Sequence, residues 1–264
     1  GGNLSTNATE TTTIVNDGGA SGAIYSFRTN TWNAVGSVDA PKTIAGQSAL
    51  WTGTAMFVFG GVANGNAGGI FDLSAGIWSL ISTTTAPQNR EDAAIAFLED
   101  EVFVWGGVLV GSSIATSTGA MYHIADDAWT KVDNAKAPIA RVGHFAAPYK
   151  DRFYVFGGSR VDGSPLHDLH AYYPGNDLWE QITMGGNYRE FETLAFAGIA
   201  NDKSAVVLGR QGERGSIGVF VLDMESKAWS QIKLEGLFLA ASDQVALAES
   251  ILFVARLCLG SNEV

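Results

Sequence analysis

Five arginines carry the most recognisable chemistry of this chain: Arg90, Arg141, Arg160, Arg189 and Arg210. Arg90 and Arg141 each stand three residues after a proline and 16 before the first glycine of a Gly-Gly pair, so they mark one repeated position. Arg189 is a looser third member, 20 residues before Gly209, and Arg160 and Arg210 follow the glycine motifs and start loops. Guanidinium groups gathered around an opening would take a carboxylate, phosphate or sulfated sugar through bidentate hydrogen bonds, which makes these five a candidate anion funnel. A repeated arginine can also bridge neighbouring structural units through carbonyls or carboxylates, and that reading stays open beside the first.

The histidines and carboxylates point to less. His167 and His170 fall on opposite faces if the segment is extended, His144 lies beside Arg141, and His123 follows Tyr122. No third ligand of suitable spacing accompanies them, so they read as structural or surface residues rather than a metal site. Asp126-Asp127, Asp162-Gly163-Ser164 and Glu190 with Glu192 lack the density of a calcium loop. The sole cysteine, Cys258, forms no internal disulfide and no Cys-based zinc site. Neither a metal nor a cofactor is expected, and no catalytic constellation stands out.

The elements that position these residues follow from composition. The chain has 264 residues, with 16 Lys plus Arg against 27 Asp plus Glu, a net charge of -11. That acidity argues against nucleic acid as the main partner, because backbone binding needs clustered cations. Charged residues make up 16% and glycine numbers 32, a balance that favours many turns over long solvated helices. The uncharged stretch 102 to 125 is interrupted by Gly106-Gly107, Ser112-Ser113 and Thr116-Ser117-Thr118, so no membrane insertion is expected. The start at Gly1, without Met or a charged-then-apolar leader, fits a mature product or an excised segment.

Five of the seven tryptophans, Trp32, Trp78, Trp129, Trp179 and Trp229, are spaced by 46, 51, 50 and 50 residues. Seven positions before each stands a large residue: Tyr25, Phe71, Tyr122, Tyr172 or Leu222. Turn formers between them imply a hairpin, in which a four-residue turn at 28 to 31 would pair Phe27 with Trp32 and set Tyr25 opposite Ala34. Runs ending in two glycines recur at Met56 to Gly61, Val102 to Gly107 and Phe153 to Gly158, each 29 residues after a tryptophan. Later copies drift, keeping one glycine at Gly209 and none near Ala255. With a small apolar strand before each glycine strand, the unit is four short strands in about 50 residues, the length of a repeat array.

These marks resemble the kelch repeat, and Pro138 to His144, Phe156-Gly157-Gly158, Leu166 to Leu169 and Trp179 form a nearly complete copy. The resemblance implies an all-β, kelch-type β-propeller of four-stranded antiparallel blades, with 1-264 as one domain. Four complete units plus two partial ones give five blades, segments 242 to 256 and 22 to 36 sharing the closing blade. Part of a six- or seven-bladed propeller is the alternative. The first loop, 3 to 22, is expected to be mobile. The longer connections, after the glycines and after the tryptophans, fall on one face. The expected function is a non-catalytic scaffold, a monomer presenting that face to a protein, peptide or glycan. A secreted, periplasmic or surface location suits the low charge. Kelch-like propellers also include copper radical oxidases of the galactose oxidase type and sialic acid mutarotases, which keeps a carbohydrate-active enzyme as the alternative. Cys258 lacks the oxidase motif, whereas Arg90, Arg141 and Glu190 or Glu192 could mimic the mutarotase site.

Overall fold

Short β-branched and aromatic runs bounded by turn residues pair into antiparallel sheets, as their composition favours. The computed structural model describes residues 3-7, 12-16, 22-26, 28-42, 46-61, 68-185, 193-201, 203-211, 216-232, 244-248 and 251-255. They form two compact units, 1-182 and 183-264. No helix among the described residues is long and apolar enough to cross a membrane.

In the first unit, β1 (Asn3–Asn7), β2 (Thr12–Asn16), β3 (Gly22–Ser26) and β4 (Thr31–Val35) make the first sheet, in chain order. The second sheet joins β5 (Gln47–Trp51), β6 (Ala55–Gly60), β7 (Gly68–Asp72) and β8 (Ile77–Leu80). A two-residue strand, β9 (Arg90–Glu91), leads into the third sheet of β10 (Ala94–Leu98), β11 (Glu101–Trp105), β13 (Gly119–His123) and β14 (Ala128–Lys131). Strand β9 itself pairs with β12 (Val108–Leu109). The fourth sheet holds β15 (Phe145–Tyr149), β16 (Arg152–Phe156), β17 (Leu169–Tyr173) and β18 (Leu178–Ile182).

The second unit has a fifth sheet, β19 (Thr193–Asn201), β20 (Ser204–Gln211), β21 (Ser216–Asp223) and β22 (Trp229–Ile232), and a hairpin of β23 (Gln244–Ala248) with β24 (Ile251–Ala255).

Two expectations are corrected here. The place beside β3 is taken by β2, and β23 and β24 form a sheet of two, so the chain ends do not share a blade by pairing 251-255 with 22-26. The segment 3 to 22, read as a mobile loop, contains β1 and β2: Thr12, Thr13, Ile14 and Val15 form a continuous β-branched run, which suits a strand. The hairpin register also differs. Tyr25 lies directly opposite Trp32, as Phe71 does Trp78, Tyr122 Trp129, Tyr172 Trp179 and Leu222 Trp229. The turn keeps four residues but starts one residue earlier than expected, and the residue two before each tryptophan adopts positive φ in it: Asn30, Gly76, Asp127, Asp177 and Lys227.

Within the first unit, the first strands of successive sheets are neighbours, β1 with β5, β5 with β10 and β10 with β15. Sheets therefore meet face to face, and a middle strand is covered on both sides. Val102 to Trp105 shows this, buried at every position, as expected of a strand without a solvent face. Phe103 and Trp105 point toward the fourth sheet, where Phe103 stacks on Phe153 at 5.0 Å, while Val102 and Val104 join Phe57 and Phe59 of the second.

Candidate functional site

In the third and fourth sheets the repeated arginine lies in a lead-in segment just before the first strand, 88-91 and 139-142. The Gly-Gly pair makes room for these segments. Gly106 and Gly107 both have positive φ, and a Cβ on Gly107 would sit 2.4 Å from the Glu91 carbonyl oxygen, too close for any other residue. The lead-in backbone ties the preceding sheet to its own: Gly61 N–H donates to Arg90 O at 2.8 Å, and Gly107 N–H to Arg141 O at 3.2 Å.

Both arginine side chains turn inward. Arg90 is 1% exposed; its Nε donates to Gln88 O at 2.9 Å, Nη1 to Gly106 O at 3.2 Å and Thr118 O at 2.7 Å, and Nη2 to Thr118 Oγ1 at 3.3 Å. Burial pushes its pKa down to about 10, so it stays charged at neutral pH. Arg141 is fully buried, with Nε donating to Ile139 O at 3.0 Å and Nη1 to Gly157 O at 3.0 Å. It also grips Asp168 bidentately, Nη1 to Oδ1 at 2.7 Å and Nη2 to Oδ2 at 2.8 Å. His170 Nε2 lies 2.9 Å from the same carboxylate. Burial would raise the Asp168 pKa, but the hydrogen bonds from His170 and Arg141 and the guanidinium charge hold it well below the usual carboxylate range.

These contacts correct the expectation of an anion funnel at Arg90 and Arg141. Their donors are directed to carbonyls, a hydroxyl and a carboxylate inside the protein, so they bridge strands instead of facing a ligand. Arg160 is exposed in the loop after β16, beside Asp162. Arg210 lies within β20 rather than starting a loop. Arg189, Glu190, Glu192 and Cys258 lie outside the described residues.

A second repeated clasp escaped the sequence reading. Tyr122 and Tyr172 donate to Asp127 Oδ1 and Asp177 Oδ1, each at 2.7 Å. The same oxygens accept the Ser82 and Asp133 backbone N–H groups at 2.7 and 2.9 Å. Trp129 Nε1 and Trp179 Nε1 then donate to the carbonyls of those same two residues, at 2.8 and 3.0 Å. Each tryptophan thus closes its own hairpin and grips the chain leaving the sheet before it. Burial, with the aspartate's hydrogen bond and charge behind it, pushes both phenols well above their usual pKa. The spacing Tyr-x4-Asp-x-Trp, present twice, is the signal that could have found this clasp. In the second and fifth sheets Asp72 and Asp223 instead hold the turn, accepting backbone N–H groups of Ser74 and Ala75 or Glu225 and Ser226.

The histidines are structural in their contacts. His123 bridges Glu101 at 3.0 Å and Thr130 at 2.9 Å, and His144 Nε2 meets Trp105 O at 3.1 Å. His167 lies in the loop before β17, and His170 is buried on that strand. Among the described residues, no three His, Cys, Asp or Glu side chains converge to hold a metal ion.

Four-stranded antiparallel sheets, double-glycine strand ends and hairpin-closing tryptophans define a repeat protein of the β-propeller class. Residues 70-251 match the family described as the KLHDC2/KLHL20/DRC7 Kelch-repeats domain, and the chain belongs to the kelch-repeat family. Leucine-zipper-like transcriptional regulator 1 of Mus musculus and that of Homo sapiens are each 27% identical over 122 residues, covering 44% of this chain. The matched stretch is 14% of those relatives' length.

Proposed function

We propose that this chain is a non-catalytic protein-interaction scaffold that presents the longer connections at one end of its sheets to a protein partner. One observation carries the reading: the exposed β-branched residues of the described loops sit in those connections, Val38 at 79% exposure, Ile114 at 64%, Val161 at 60% and Ile139 at 42%. Loops on a rigid repeated frame can carry such residues without disturbing the core, and apolar residues among polar ones suit a protein surface that must be desolvated on contact. The guanidinium groups of Arg90 and Arg141 are directed into the frame, which favours a scaffold over the mutarotase-like alternative. Family membership supports the same reading, since kelch domains generally mediate protein–protein interaction.

We read 1-264 as one repeat domain, because a closing tryptophan grips the chain after the preceding one in both units. In the second unit Trp229 Nε1 lies 3.2 Å from Met184 Sδ, and Gly185 N–H donates to Lys227 O.

A displayed peptide library selected on the purified chain tests the function. Binders should be lost when Ile114 and Val161 are both changed to Asp, and kept when Ile77 and Leu80 of β8 are both changed to Ser. Binders indifferent to the loop pair, or lost only with the β8 pair, would overturn the proposal.

A further inference from the structure

The boundary between the third and fourth sheets contains three buried nitrogens with no hydrogen-bond partner in the protein: Trp105 Nε1, His144 Nδ1 and His170 Nδ1. Register places Trp105 and His170 at one level of that boundary, with His144 at the adjoining level toward the glycine pair. Phe103 stacks on Phe153 and contacts Tyr172 and Trp179. Two residues along β11, Trp105 faces the next level of the fourth sheet, which holds Ala146, Val155 and His170 as cross-strand neighbours. The ring of His144, just before β15, lies edge-on to Trp105 at 5.3 Å, and Trp179 is 5.4 Å from the same indole. Gly119, opposite Trp105, clears the space: a Cβ there would come within 2.7 Å of Trp105 Cδ1.

The three groups are chemically complementary. The indole nitrogen can only donate. His144 Nε2 faces a carbonyl and must carry the proton, leaving Nδ1 as an acceptor. Burial, with the Arg141 charge adding to it, pushes the His144 pKa down to about 3, so the ring is neutral. His170 Nε2 faces the Asp168 carboxylate and donates, so in the neutral ring Nδ1 also accepts. One donor and two acceptors match a molecule that accepts once and donates twice.

We propose that Trp105 Nε1, His144 Nδ1 and His170 Nδ1 hold one internal water molecule between the third and fourth sheets. Internal waters typically make about three hydrogen bonds to buried polar groups otherwise left without partners. Leaving these three unmet would cost about 1–3 kcal/mol each. The water would link the indole to the Arg141–Asp168–His170 chain and make this boundary wet where its neighbour is dry. At the positions matching Trp105, Phe59 and Phe156 offer no donor.

Water-selective NMR on the 15N-labelled natural chain is the test. The Trp105 indole proton should show a cross-peak to a long-lived water, and Nδ1 of both histidines should resonate as non-protonated acceptors. Water-17O relaxation dispersion should lose one long-lived site in Trp105→Phe. A protected indole proton without a water cross-peak, a water exchanging as fast as surface hydration, or Nδ1 protonation at neutral pH would overturn the proposal. The measurements on the natural chain decide the matter if the variant does not fold.

Discussion

Arg90 and Arg141 lead into adjacent sheets at matched positions, share three kinds of backbone contact, and differ in what else the guanidinium meets: the Thr118 carbonyl and hydroxyl for Arg90, the Asp168 carboxylate for Arg141. Thr118 stands where the fourth sheet has Asp168, and in both sheets this residue's carbonyl accepts the N–H of the first glycine, Gly106 or Gly157. The backbone frame is therefore built the same way with or without a buried counter-charge. Glycine pairs and carbonyl dipoles define the joint, and the ion pair is an addition that one boundary has and the other lacks. A buried cation surrounded only by dipoles is tolerable when each donor finds an oxygen, as at Arg90.

The largest effects should appear where the two boundaries are alike. Trp129→Ala and Trp179→Ala each remove a buried indole and its grip on the preceding sheet, and each should cost about 3–5 kcal/mol in urea unfolding. Trp32, 57% exposed in the first sheet, should cost less than about 1 kcal/mol on the same change. Equal losses at Trp32 and Trp129 would show that burial behind the hairpin is not what the repeat protects.

The boundaries should part at the arginines. Arg141→Ala strands the Asp168 carboxylate as well as the carbonyls and should cost about 3–5 kcal/mol, whereas Arg90→Ala strands only neutral acceptors and should cost about 2 kcal/mol. Equilibrium unfolding of the two single variants measures the gap. Equal costs would mean that the carboxylate contributes nothing at this joint.

The frame was legible in the sequence because its determinants are local and repeated. Tryptophan spacing and double glycines report turns and close approaches that no other residue types tolerate, so the four-strand unit could be read directly. What the arginines do was not legible, since a matched position is compatible with facing an opening or facing a neighbour. That choice depends on where Gly106, Gly157, Thr118 and Asp168 come to rest, and these lie 16 to 28 residues away along the chain. The first sheet was misread for a different reason. Residues 3 to 22 have no aromatic residue, and their Gly18-Gly19 pair follows a threonine-rich run instead of an aromatic one, so strands β1 and β2 resembled a threonine-rich loop.

Acid should separate the boundaries next. The Asp168 pKa is depressed in the folded state, so its contribution is complete above the ordinary aspartate value of about 3.9 and is lost as pH falls below it. Urea midpoints of the natural chain should therefore drop between about pH 5 and pH 2, and Asp168→Asn should lower stability at pH 7 while flattening that drop. An unchanged slope in the variant would remove Asp168 as its source.

The smallest expected effect is also the most direct on the comparison, because it converts one boundary into the other. Thr118→Asp places a carboxylate beside Arg90, whose Nη2 is already 3.3 Å from the hydroxyl it replaces. The change gives up the 2.7 Å contact between Thr116 Oγ1 and Thr118 Oγ1, a neutral hydrogen bond. It gains charge-assisted bonds of the kind Arg141 makes at 2.7 and 2.8 Å, which are roughly twice as strong as neutral ones. Partial burial of the new carboxylate offsets much of that gain, leaving a net increase of about 1 kcal/mol at pH 7. The gain should fade as pH falls below about 4, where the carboxyl of the unfolded chain takes up a proton first, and be gone once the folded carboxyl, held below the ordinary value by Arg90, is protonated as well. A stabilisation that persists at pH 2 would have to come from packing, and a loss at pH 7 would mean that Arg90 is better served by oxygens that carry no charge.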